Sequence, residues 1–179
     1  MVNFNQLLIK ITDLSQVCMV VHDAEKTMLS LWKTFGIGPW NIYIRDFESK
    51  IDGELIRDMT YHGKPAQFSY KVVHTQNKLG GMFIELIQPL AGENIYRDFL
   101  KENGEGVHHL GWHVVKTLEA FDETRKKLEA EGFPCMMSAR LYDSAIAYFD
   151  TTKALNTILE VAWRDPTKTR PAPRVFPEK

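Results

Sequence analysis

The stretch Gly106–Val115, GVHHLGWHVV, alternates side chains at the period of a β-strand and carries histidines in its middle. His109, Gly111 and His113 fall on one face, and Leu110, Trp112 and Val114 on the other. The apolar face must be buried, whereas the face with His109 and the bare Gly111 leaves room for a ligand. Near the start of the chain Gln16–Val21, QVCMVV, repeats the pattern, with Gln16 standing where His109 stands. Each run leads into a charged helical segment. Each half then closes on a strand with one glutamate, Glu85 in MFIELIQ and Glu160 in TILEVAW. A unit written twice predicts a paired fold built around one shared cleft.

Outward from these runs, Leu14–Val21 reads as the first strand. Asp23 suits an N-cap, and Met28, Leu31, Trp32 and Phe35 follow at helical spacing, which predicts a helix over 24–35. Gly36–Trp40 turns the chain, and Asn41–Phe47, NIYIRDF, alternates as a strand. Glu48–Met59 is polar and unpatterned, and reads as a loop or lid. Phe68–His74 and Met82–Pro89 are two further strands, joined by a turn at Asn77–Gly81. Ile95 and Phe99 mark a short helix between the halves, ended by Asn103 and Gly104. Thr117 caps a helix that carries Leu118, Phe121 and Leu128 inward, and Cys135–Arg140, Ser144–Asp150 and Thr157–Trp163 complete the strands. The order strand, helix, three strands, twice over, predicts an α+β fold of two paired βαβββ modules forming one curved eight-stranded mixed sheet around a cleft. The expected boundaries are a first module over 1–90, a linker with a short helix over 91–106, a second module over 107–165, and an extended Pro-rich tail over 166–179 outside the core.

With 179 residues and 44% hydrophobic content the chain can bury a core without disulfides, and its two cysteines, Cys18 and Cys135, read as reduced. A net charge of −1 offers no field for nucleic acid or an anionic membrane. The absence of a transmembrane-length apolar run and of a secretory signal pattern points to the cytoplasm. No Gly-rich phosphate loop or nucleophilic Ser or Cys motif is present, which argues against phosphoryl transfer and acyl-enzyme chemistry. A small-molecule substrate is the expected partner.

Gln16, Glu85, His109 and Glu160 are each the lone polar side chain of an apolar strand; Phe83 and Ile87 flank Glu85 at period two, and Ile158 and Ala162 flank Glu160. A buried lone carboxylate is costly or becomes protonated. Four such residues around one cleft offset that cost by ligating a cation, two carboxylates, an imidazole and an amide oxygen making a neutral set about a divalent ion. Taken singly, each has a plainer alternative, since a glutamate in an apolar strand commonly lies at an edge or pairs with Lys or Arg. The oxygen-rich set disfavours a thiolate-bound structural zinc and admits one ion of Mn, Co, Ni, Zn or Mg.

QVCMVVHD from Gln16, FIELIQPL around Glu85, GEGVHHLGWHV around His109 and AYFDTTKALNTILEV around Glu160 together resemble the vicinal oxygen chelate superfamily over roughly residues 12–165. That superfamily includes glyoxalase I, methylmalonyl-CoA epimerase, extradiol dioxygenases and bleomycin resistance proteins. The segment from Glu85 to Val114 looks most like methylmalonyl-CoA epimerase, and a Gln, Glu, His, Glu ligand set looks like glyoxalase I. The resemblance implies that Gln16, Glu85, His109 and Glu160 are the metal ligands. It implies a metal-stabilised enediolate, with Glu160 as the base that moves a proton beside a carbonyl and Glu85 as its counterpart across the cleft. Epimerisation needs a second relay, for which His113, His62 and Tyr148 are candidates. Trp40, His113 and Tyr148 are the expected substrate-binding residues, with Trp40 and Phe47 roofing the cleft, while His108 is expected to point away. The expected activity is that of a metal-dependent isomerase, epimerase or lyase acting on an acyl thioester, keto acid or similar compound. The alternative is a non-catalytic, ligand-sequestering protein of the bleomycin resistance type. Two modules in one chain can close the cleft alone, so a homodimer would be an addition.

Overall fold

The computed structural model describes residues 9–11, 13–48, 50–51, 54–170 and 172–178, and for 50–51, 54–55 and 112–114 the backbone alone. The lead before residue 9 lies outside the described residues. Asp23 accepts hydrogen bonds from the amides of Glu25 and Lys26, so α1 (Ala24–Phe35) begins where the capping pattern predicts, and Gly36 in the left-handed region ends it. Asn94 caps α2 (Ile95–Asn103) and Thr117 caps α3 (Leu118–Ala130) in the same way. A one-turn α4 (Thr152–Leu155) precedes the last long strand.

The strands are β1 (Gln16–Val20), β2 (Trp40–Arg45), β3 (Lys50–Ile51), β4 (Glu54–Leu55), β5 (Arg57–Tyr61), β6 (Lys64–Pro65), β7 (Ser69–Thr75), β8 (Phe83–Ala91), β9 (Gly106–Val115), β10 (Cys135–Arg140), β11 (Ser144–Phe149), β12 (Ile158–Arg164) and β13 (Arg174–Phe176). One mixed sheet runs β13-β2-β7-β8-β1-β9-β12-β11-β10-β5-β6, and β3 pairs with β4 alone. Its middle eight strands are the two expected modules. In each, the first strand pairs parallel with the last, β1 with β8 and β9 with β12. The modules join antiparallel through β1 and β9, where Gln16 faces Gly111.

Three strands exceed the expected eight. The polar stretch read as a loop or lid holds β3 and β4 and runs into β5, which crosses to the second module and pairs with β10, tied by the Thr60 and Ser138 hydroxyls at 2.8 Å. The tail is not a free arm, because β13 pairs with β2 and the Phe176 ring stands edge-on to Trp32 at 6.2 Å. Both additions have one cause: β2 and β10 would otherwise end the sheet with unpaired backbone groups.

α1 and α3 cover one face of the sheet. Ala24 and Met28 of α1 share one core with Trp40, Val73 and Leu86, and Phe121 and Leu128 of α3 share another with Ala147 and Val161. Burying Phe121 and Leu128 stabilises by roughly 1.5–3 kcal/mol each. Phe35, expected on the apolar stripe, is exposed, since the helix ends at Gly36. The opposite face packs Tyr70, Ile87, Tyr96 and Tyr148 around Cys18 and Val20 and carries the cleft. Both cysteines are free thiols. No helix among the described residues is long and apolar enough to cross a membrane.

Candidate functional site

β1, β8, β9 and β12 lie side by side at the middle of the sheet, so their polar side chains share one spot. The Gln16 amide donates to Glu85 Oε2 at 2.9 Å and to Glu160 Oε2 at 2.8 Å. His109 Nε2 stands 3.7 Å and 3.5 Å from the same two oxygens. It is fully buried and has no hydrogen-bond partner among the described residues. The Tyr148 hydroxyl donates to the other oxygen of Glu160 at 3.1 Å. A cleft of about 470 Å³ opens onto Gln16, Glu85, Tyr148 and Glu160.

Gly111 is needed here for a reason other than the one its sequence position suggested. A Cβ at Gly111 would lie 2.3 Å from Ser15 Oγ and 2.6 Å from Gln16 Cγ. The space therefore admits the Gln16 side chain rather than a ligand.

His108 departs from strand alternation. Cys18 pairs with His109 and Met19 with Val107, so His108 is the extra residue of a β-bulge and turns inward beside its neighbour. Its Nδ1 meets His109 Nδ1 at 2.8 Å, and Phe99 and Tyr96 pack edge-on against its ring. Burial and the adjacent His109 push its pKa down to about 2, which keeps His108 neutral.

Cys18, two residues beyond Gln16, faces the same side. Its Sγ, a Glu85 oxygen and a His109 nitrogen all lie within 4.8 Å of one another. Burial, then the charges of Glu85 and Glu160, hold the thiol well above its ordinary range, so it acts as a donor to Glu85. Cys18 was legible as a neighbour of the site from its period-two spacing. Burial and the Glu160 charge, opposed by His109 and Cys18, push the Glu85 carboxyl up to about 7.

Other expected residues sit elsewhere. Trp40 does not roof the cleft: it is buried under α1, with its indole N–H donating to Ile37 O at 2.7 Å. Along β2 the cleft-facing residues are Asn41, Tyr43 and Arg45, out of phase with Trp40. Phe47 packs against the inner core. His62 lies in an exposed turn, 4.0 Å from Asp98. The backbone of His113 lies in β9, and its side chain is outside the described residues. Tyr148 alone of the three expected substrate-binding residues is placed at the cleft by its described side chain.

Similar folds are known. Methylmalonyl-CoA epimerase from Mycobacterium tuberculosis matches with a TM-score of 0.55 at 18% identity, over 87% of this chain and 90% of that one. A hypothetical protein from Bacillus halodurans matches at 0.57 and 16%, over 88% and 98%. A variant of Streptomyces coelicolor methylmalonyl-CoA epimerase in complex with 2-nitronate-propionyl-CoA matches at 0.54 and 16%, over 90% and 100%. No protein of curated function matches the sequence. At these identities the likeness is one of fold, and it is the fold of paired modules described above. The model of the Glyoxalase/Bleomycin resistance protein/Dioxygenase superfamily matches residues 15–149, and the chain belongs to that superfamily.

Proposed function

We propose that the protein is a divalent-metal-dependent isomerase, epimerase or lyase that moves a proton at a carbon beside a carbonyl. The observation that carries this reading is the position of the Gln16 amide nitrogen, bridging Glu85 and Glu160 while the unpartnered His109 Nε2 faces the same two oxygens. A hydrogen-bond donor between two carboxylates marks a place that favours positive charge. Turning the amide over presents Oε1 to it, so Gln16, Glu85, His109 and Glu160 fit an ion such as Mn, Co, Ni, Zn or Mg. When bound, such an ion stabilises the negative oxygen that develops as the neighbouring C–H is ionised.

The chain's own residues do the rest. Tyr148 holds one oxygen of Glu160, so the other, which the Gln16 amide meets, is the oxygen positioned as the base. Glu85, which accepts from the same Gln16 amide, is the counterpart of Glu160 in the proton transfer. One glutamate removes the proton from the reacting carbon and the other delivers one. Return to the opposite face is epimerisation, and transfer to an adjacent atom gives the isomerase or lyase outcome.

A second reading, ligand sequestration without turnover, draws support from the aromatic wall of the cleft, where Tyr43, Tyr70, Phe83 and Trp163 join Tyr148. Elemental mass spectrometry on the purified protein separates the two. Near-stoichiometric metal, lost in Glu85→Ala and His109→Ala, and deuterium uptake into keto acids or acyl thioesters in heavy water support the enzyme. No metal after reconstitution with Mn, Co, Ni and Zn leaves the binding protein.

A further inference from the structure

Three guanidinium groups, Arg45, Arg164 and Arg170, line the same cleft as the two glutamates. Asp143 engages two of them, Arg170 Nε at 2.8 Å and Arg164 Nε at 3.4 Å. Arg45 is left over. It is only 8% exposed, yet among the described residues it makes no ion pair or hydrogen bond, and its polar contact is the Tyr43 ring, 5.0 Å from its Cζ. Arg170 stands over the same ring at 5.4 Å.

A buried guanidinium with no hydrogen-bonded counter-charge is costly, and two cations on one ring repel each other. An anion entering the cleft relieves both costs. Among the described residues no helix N-terminus or Gly-rich loop of the kind that cradles phosphate lines this end, and a single unengaged planar fork pairs bidentately with one carboxylate. The Tyr70 hydroxyl, directly across the β2–β7 ladder, also has no partner among the described residues and faces the cleft.

The spacing suits a small molecule. Glu85 pairs across the sheet with His74, and His74 with Asn41. Arg45 lies four residues further along β2 than Asn41, about 13 Å at strand rise. Arg45 and Glu85 both line the cleft across that interval, which the arginine and glutamate side chains shorten to the span of a short organic acid.

We propose that the Arg45 end of the cleft is a carboxylate-binding subsite: the ligand is a small organic acid whose carboxylate is held by the Arg45 guanidinium, with Tyr70 and Arg170 beside it. The acid's reactive carbon then lies against Glu85 and Glu160, a placement that rests on the proton-transfer reading above. Arg45 is inferred to set specificity and is not a proton carrier.

The subsite is tested on chelator-treated, full-length protein by calorimetric titration with 2-oxobutyrate, its neutral amide and propyl phosphate. The acid is expected to bind saturably and at least about tenfold more tightly than the amide, as a charge-assisted pair requires. Arg45→Met abolishes that preference, and Arg45→Lys retains part of it. Equal binding of acid and amide, no saturable binding of the acid, tighter binding of propyl phosphate, or an undiminished preference in Arg45→Met overturns the proposal. The wild-type comparison stands by itself if Arg45→Met does not fold. Cobalt uptake by Arg45→Met at wild-type stoichiometry keeps the metal-site reading intact whatever the acid titration gives, so the two ideas fail separately.

Discussion

The imidazoles of His108 and His109, neighbours in sequence, meet Nδ1 to Nδ1 at 2.8 Å, and one nitrogen of the pair carries the hydrogen while the other accepts it. With the proton on His109 Nδ1, the lone pair of its Nε2 faces Glu85 and Glu160, as a metal ligand requires. His108→Phe keeps the packing on Phe99 and Tyr96 and removes the acceptor. Affinity for cobalt, measured by competition with a chromophoric chelator, is expected to fall about 10–100-fold. Unchanged affinity would separate His108 from the site.

Glu160→Gln is expected to lower deuterium incorporation about 10²–10⁴-fold with thermal stability near wild type. Tyr148→Phe, which only frees one Glu160 oxygen, is expected to cost about 10–100-fold. Full activity in Glu160→Gln would remove it from the mechanism.

Gly111→Ala places a methyl group on Ser15 Oγ and Gln16 Cγ. It is expected to destabilise by about 1–3 kcal/mol in urea titration and to displace Gln16, lowering bound metal. Wild-type metal content in this variant would show that Gln16 is not a ligand.

Trp40 packs in the core under α1, away from the cleft lining. Trp40→Ala is expected to cost about 3–5 kcal/mol, whereas Trp40→Phe leaves ligand affinity unchanged in the calorimetric titration. A change in affinity with Trp40→Phe would return this residue to the cleft.

Burial raises the Asp143 carboxyl, but the hydrogen bonds and charge of Arg170, then Ser144, outweigh it and hold the group below its ordinary value. A folded pKa below the unfolded value of about 3.9 means that the unfolded chain binds more protons on acidification. The stabilisation is therefore complete above that value and is lost as pH falls through the folded pKa. Asp143→Asn is expected to flatten this part of the stability profile and to cost about 1–3 kcal/mol at neutral pH. An unaltered acid limb in chemical denaturation would exclude Asp143 from it.

The repeated unit, the helix caps at Asp23 and Thr117, and the four lone polar residues Gln16, Glu85, His109 and Glu160 were legible because alternation and capping are local properties of the chain. Parallel pairing of the first and last strands of each module, which the fold supplies, brings those residues together. The inward turn of His108 was not legible, because a bulge is a mismatch in count between two strands and neither strand states it alone. Trp40 was assigned to the wrong face for a related reason: period two separates it from Tyr43 and Arg45, but only the packing of α1 decides which of the two sets is outside. The same holds for Arg45, Arg170 and Asp143, which lie far apart in the chain and come from β2, the tail and the turn before β11. Sequence by itself determined the eight strands of the two modules and the polar groups they carry. The tertiary structure decided which face is enclosed, which strands cap the sheet edges and which charges are left without a partner, because each of these depends on groups distant in the chain competing for the same buried space.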